Sequence, residues 1–133
     1  MRSLATRCED GRNAPGERRR LEGLERDGQG DRPVGPLLDG AGAAWVLADR
    51  PGWRVPLVVT AGWAYVRFHQ GRALHPSYTR SKLRTWADRI AGLDAKDVFV
   101  FFNNDQLAAA PRDAETLTGF LLDRGQEVAP PPG

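Results

Sequence analysis

A chain of 133 residues has room for one domain, and 41% hydrophobic with 27% charged residues is the balance of an ordinary globular fold. Its 19 basic residues exceed the 17 acidic ones by two and are interleaved with them, so no basic stripe marks a dedicated nucleic-acid binder. No apolar run reaches the roughly 20 residues of a membrane span, and a lone cysteine, Cys8, excludes an intrachain disulfide.

Residues 1–35 are dominated by Gly, Arg, Asp, Glu and Pro. Their few apolar side chains, Leu4, Leu21, Leu24 and Val34, bury too little surface to offset chain entropy, so a disordered or low-complexity segment is expected. A short helix over 17–27 would have only Leu21 and Leu24 for an apolar face. A basic arm is a competing reading, opposed by the neighbouring acids. A start or reading frame displaced upstream of the real domain is another. The opening residues have no apolar h-region, and Glu9, Asp10 and Glu17 do not suit a transit peptide, so a cytoplasmic location is expected. Cys8 lies outside any apolar pattern and reads as a plain surface thiol.

Regular patterning starts at Pro36. PLLDGAG reads as a helix end with Gly40 or Gly42 near its C-cap. The apolar run 43–49 predicts a buried strand, and 55–60, close to two prolines, an extended connection. WAYVRFH, 63–69, alternates and predicts a strand with Trp63, Tyr65, Arg67 and His69 on one face. A loop follows over 70–78, with His75 exposed. A helix from Thr79 to Ala91 would bury Leu83, Trp86, Ala87 and Ile90 in one stripe, with Thr79 as N-cap and Gly92 as stop. DVFVFF, 97–102, predicts a strand covered on both faces. Pro111 suits the first turn of a helix to about Arg124, with Ala114, Leu117, Leu121 and Leu122 inward. Residues 126–133 read as a disordered tail. This order of helices and apolar strands is that of an α/β fold with a parallel sheet, and three strands are too few for an eight-unit barrel.

Polar residues collect after each strand, where parallel α/β folds place their sites. Asp49 and Arg50 follow the first strand, Arg67 and His69 end the second, and Asn103, Asn104 and Asp105 end the third. Arg67 is the most demanding, because a buried guanidinium needs a carboxylate, a phosphate or several carbonyls. An ion pair with Asp49 and contact with a ligand both answer that need. His69 suits acid–base work, metal ligation or capping. Asn103 and Asn104 suit substrate orientation or simple turn closure. Asp49 and Asp105 with His69 would suit a metal, but no tight ligand spacing supports one. No phosphate loop, nucleophile elbow or zinc signature is present.

The runs LLDGAGAAWVLADRPG, VVTAGWAYVRFHQG, YTRSKLRTWADRIAG and DVFVFFNND resemble, in order, the C-terminal part of the domain of unknown function 72 family, also called YecE-like. The resemblance covers about residues 36–125. It implies the C-terminal part of a TIM-type β/α barrel, incomplete here, with parallel strands and flanking helices and without the family's N-terminal strands. It places Tyr65, Arg67 and His69 on the family's YxRxHG-type strand end, with Gln70 separating His69 from Gly71, and Asn103 and Asn104 on its FNN strand end. The expected site residues are Arg67 and His69 for chemistry, with Asp49, Tyr65, Asn103 and Asn104 for substrate. No activity or cofactor is assigned to the family. The alternatives are a phosphate- or nucleic-acid-binding module and a metal-assisted hydrolase or isomerase of the intact domain. The expected partners are a small-molecule or phosphate-containing ligand and further copies of the chain, met through exposed sheet edges.

Overall fold

The computed structural model describes residues 2–7, 34–52, 56–69 and 75–129. The expectations for Cys8, for a helix over 17–27, for the loop at 70–74 and for residues 130–133 lie outside them. In chain order the elements are β1 (Arg2–Arg7), α1 (Val34–Gly40), β2 (Val46–Asp49), β3 (Trp63–Phe68), α2 (Arg80–Ala91), β4 (Asp97–Phe102), a 3-10 turn (Gln106–Ala108), α3 (Ala109–Leu122) and β5 (Glu127–Ala129). The sheet order is β2-β3-β4-β1-β5. β2, β3 and β4 are parallel, while β1 lies antiparallel between β4 and β5.

The parallel trio agrees with the α/β order read from the sequence. Two strands do not: β1 falls in the segment predicted to be disordered, and β5 in the predicted tail. Neither has an apolar pattern of its own. Backbone N–H and C=O groups suffice to build a ladder once a neighbouring edge exists. That edge is β4, whose Phe102 to Asp97 pair with Arg2 to Arg7.

The period of two decides which side of the trio is covered. Ala64, Val66 and Phe68 on β3 stand beside Val98, Val100 and Phe102 on β4, and all six are buried. Against them α2 sets Leu83, Trp86, Ala87 and Ile90, the predicted stripe, and α3 sets Ala110, Ala114, Leu117, Phe120 and Leu121. Phe68 is the centre of this layer: its ring stacks on Phe102 at 4.6 Å and meets Tyr78 and Trp86 edge-on at 5.0 and 5.2 Å. Each such pair adds about 0.5–1.5 kcal/mol beyond area burial.

The opposite side of the trio is open. Val46, Trp63 and Phe99 are 44, 37 and 36% exposed, which corrects the expectation that DVFVFF is covered on both faces. Both long helices pack on one side only, so alternate residues of β4 are left uncovered. Leu122 is also corrected. It is exposed, and Phe120 takes the inward place, because a residue one step beyond the buried Leu121 is carried about 100° around the helix.

The ends of the elements follow their residues. Thr79 Oγ1 accepts the Lys82 N–H at 3.2 Å as the N-cap of α2, and the Gly92 N–H donates to the Asp88 carbonyl at 3.1 Å. After α1, Gly42 takes φ +63° and the Ala43 N–H closes onto the Leu38 carbonyl at 2.8 Å. Buried Thr60 ties the 56–60 connection to the entry of β2: its hydroxyl donates to the Ala43 carbonyl at 2.7 Å and accepts the Trp45 N–H at 2.8 Å. Leu107 and Ala108 enter α3 in the left-handed region, at φ 56° and 54°. Arg112 holds that bend by donating to the Leu107 carbonyl at 2.7 Å.

Candidate functional site

Ladder hydrogen bonds carry the parallel pairing past the ends of the strands. The His69 N–H donates to the Asp49 carbonyl at 3.1 Å, and the Asn103 N–H to the Phe68 carbonyl at 2.8 Å. The C-terminal ends of β2, β3 and β4 therefore form one continuous rim holding Asp49, His69 and Asn103.

Arg67 enters this rim from the open side. It pairs in register with Ala48 and Phe101, and shares its face with Tyr65 two residues earlier. That face is aromatic: Tyr65 stacks on Phe101 at 4.8 Å, and Trp63 meets Phe99 edge-on at 5.8 Å. Arg67 Nε is buried there without a hydrogen-bond partner. A guanidinium nitrogen removed from water and left unpaired costs about 1–3 kcal/mol or more, so the position favours an acceptor arriving from outside.

Burial lowers the pKa of His69 below 6.5, and the charges of Arg67 and Arg50 lower it further; Asp49 opposes them. His69 is therefore a neutral imidazole at pH 7, with lone-pair basicity at one ring nitrogen and an N–H at the other.

Asp49 does not join Arg67. Opposite Phe68 in register, it turns towards α2, where its Oδ2 lies 2.8 Å from Lys82 Nζ. The contact is charge to charge and lacks hydrogen-bond geometry at that oxygen. The Lys82 ammonium also lies over the Tyr78 ring at 5.3 Å, and the Tyr78 hydroxyl donates to the Asp49 carbonyl at 3.4 Å. An Arg67–Asp49 ion pair, one of the two arrangements the sequence allows, is thus replaced by Lys82–Asp49.

Asn104 is a strut. Its side-chain amide donates to the Pro76 carbonyl at 2.8 Å and to Asp113 Oδ2 at 2.7 Å, and the same carboxylate oxygen accepts the Tyr78 N–H at 2.9 Å. Asn104 Oδ1 is buried without a partner. Asn103 is exposed on the rim.

The structure therefore brings Tyr65, Arg67, His69 and Asn103 to one rim and its open face. It sets Asp49 on the helix side and encloses Asn104. Sequence reasoning missed Lys82, Tyr78 and Asp113, whose partners lie on other elements of the fold. Among the described residues, no three His, Cys, Asp or Glu side chains gather as metal ligands do, and no helix is long and apolar enough to cross a membrane.

Parallel strands with helices packed on one face, and polar groups gathered at their C-terminal ends, define a mixed α/β unit. The chain belongs to the DUF72 family, a protein family of unknown function, whose model matches residues 27–133. It is similar to the crystal structure of a DUF72 family protein from Thermotoga maritima, with 25% identity and a TM-score of 0.62 over 69% of this chain and 42% of that one. A DUF72 family protein from Enterococcus faecalis has the same fold, with 20% identity and a TM-score of 0.57 over 67% of this chain and 40% of that one. The chain thus spans well under half of either solved relative. No curated protein matches it.

Proposed function

We propose that this chain carries the anion-gripping part of a ligand site at the strand ends of a DUF72 domain, with a phosphate-bearing small molecule as the ligand class. One observation carries the reading: Arg67 holds a buried, unpartnered Nε on an otherwise aromatic face, beside a neutral His69. Arg67 binds the anion, Tyr65 and Phe101 support the ligand body, and Asn103 orients it from the rim. His69 is the acid–base candidate, because a neutral imidazole can take a proton at physiological pH.

In this reading β2, β3 and β4 are the last strands of a TIM-type β/α barrel, with helices outside and the aromatic face inside. The parallel order, the one-sided helices and the greater length of the solved relatives support it. The rest of the barrel would complete the site. Without it, the aromatic face and the outer edge of β2, unpaired among the described residues, are the surfaces through which copies would associate.

The test is a titration with inorganic pyrophosphate, followed by NMR at the Arg67 Nε–H and the His69 ring. Saturable shifts that weaken with added salt and vanish in Arg67→Gln are expected. Equal binding by wild type and Arg67→Gln would remove Arg67 from the site.

A further inference from the structure

An anion site of this kind leaves Asp49 to be explained. Its carboxylate ends β2 beside His69 and acts on that imidazole electrostatically. An unbalanced carboxylate there would repel a phosphate bound at the rim. Its side chain is 13% exposed, so it is poorly screened by water. The charged and titratable groups nearby are Asp49 at the end of β2 with Arg50 after it, Arg67 on β3 with His69 after it, Asp105 after β4, Lys82 on α2, and the Tyr65 and Tyr78 phenols.

We infer that Lys82 is the charge-balancing residue of this site: the pleat of β2 sets Asp49 on the helix side, level with Phe68, and Lys82 neutralises it there, so that the rim around Arg67 favours a phosphate-type anion. The inference rests on the anion-binding reading of Arg67. Three contacts carry it. The ammonium lies 2.8 Å from Asp49 Oδ2 and 5.3 Å from the centre of the Tyr78 ring, and Tyr78 bonds the carbonyl of that same Asp49. Thr79 fixes the start of α2, so Lys82 projects from a capped first turn rather than from a loop. Among the described residues Arg67 has no carboxylate within ion-pair distance, while the nearby Asp49 is committed to Lys82. Lys82 acts through Asp49 and need not touch the ligand.

The discriminating experiment is a charge-rescue series read by pyrophosphate titration at low ionic strength, following the His69 ring resonances in wild type, Arg67→Gln, Lys82→Gln, Asp49→Asn and Lys82→Gln/Asp49→Asn. A carboxylate left unbalanced within about a Debye length of the anion weakens binding by roughly two- to fivefold. Lys82→Gln is expected to show that loss, and the double variant to regain wild-type affinity, because no carboxylate remains to be balanced. A merely structural lysine would not be rescued this way. Lys82→Gln binding like wild type while Arg67→Gln does not would overturn this inference and leave the anion site standing. A double variant as weak as Lys82→Gln would also overturn it, by making Lys82 a direct ligand or a packing element. Loss of nothing in Arg67→Gln would sink the anion reading itself. If Lys82→Gln does not fold, Asp49→Asn decides: binding at or above wild type supports the inference, and weaker binding refutes it.

Discussion

Asn104, at the end of the last parallel strand, and Asp113, one turn into α3, meet at 2.7 Å in the protein interior. The Asp113 carboxylate also accepts the Tyr78 N–H, and the Asn104 amide donates to the Pro76 carbonyl. Two side chains thereby fix where the chain leading into α2 crosses the end of β4. Asp113→Ala removes the acceptor of the Tyr78 N–H and of one N–H of the Asn104 amide and should cost about 2–4 kcal/mol in urea unfolding. Asp113→Asn keeps one carbonyl acceptor and should cost less. Equal, small losses from both would show that the network contributes little.

His69 gives a pH signature. Its folded pKa lies below the usual 6.5, from burial first and then from the Arg67 and Arg50 charges. As pH falls below that value, the unfolded chain takes up the proton first. The contribution of His69 to stability is thus complete above about 6.5 and is lost as pH falls through its folded pKa. Arg67→Gln removes one lowering charge, so the NMR titration midpoint of His69 should rise and the acid-side loss should shrink. An unchanged midpoint would mean that the two groups do not interact.

Two phenylalanines of β4, Phe99 and Phe102, should behave oppositely. Phe102 is fully buried against Phe68, whereas Phe99 is 36% exposed on the open face. Phe102→Ala should destabilise by about 3–5 kcal/mol, enough to unfold a small domain. Phe99→Ser should leave the unfolding midpoint nearly unchanged and reduce self-association in sedimentation velocity. A sedimentation profile that stays the same in Phe99→Ser would clear the open face of any part in association.

The α2 cap is a simpler test. Thr79→Ala loses the acceptor for the Lys82 N–H and should cost about 1 kcal/mol. Thr79→Asp should restore it. The thermal midpoint measures both.

What was legible in the sequence was whatever repeats locally. Leu83, Trp86, Ala87 and Ile90 announce α2, and the alternation of WAYVRF announces β3, because each pattern is complete within a dozen residues. The rim was legible for the same reason: Arg67, His69 and Asn103 end runs whose direction is clear. The rest depends on partners far along the chain. Asn104 looks like an exposed strand-end amide until Asp113 and Pro76 are brought to it. Asp49 looks available to Arg67 until the pairing of β2 with β3 sets it level with Phe68, on the helix side, where Lys82 meets it. Leu122 looks inward by composition, and Phe120 displaces it by phase. RSLATR contains no strand pattern at all; β4 supplies the edge it pairs with.

The place of β1 has a consequence for synthesis. Its two ladder partners, β4 and β5, are made long after it, β5 at residues 127–129. On the ribosome, Arg2–Arg7 therefore emerges well before both of its partners and is seated only once β4 offers the edge it joins. Until it is seated, that edge of β4 is open to any other strand. The time for which Arg2–Arg7 waits without its ladder, and can pair with a wrong neighbour, is set by the translation of the stretch between Arg7 and Phe102.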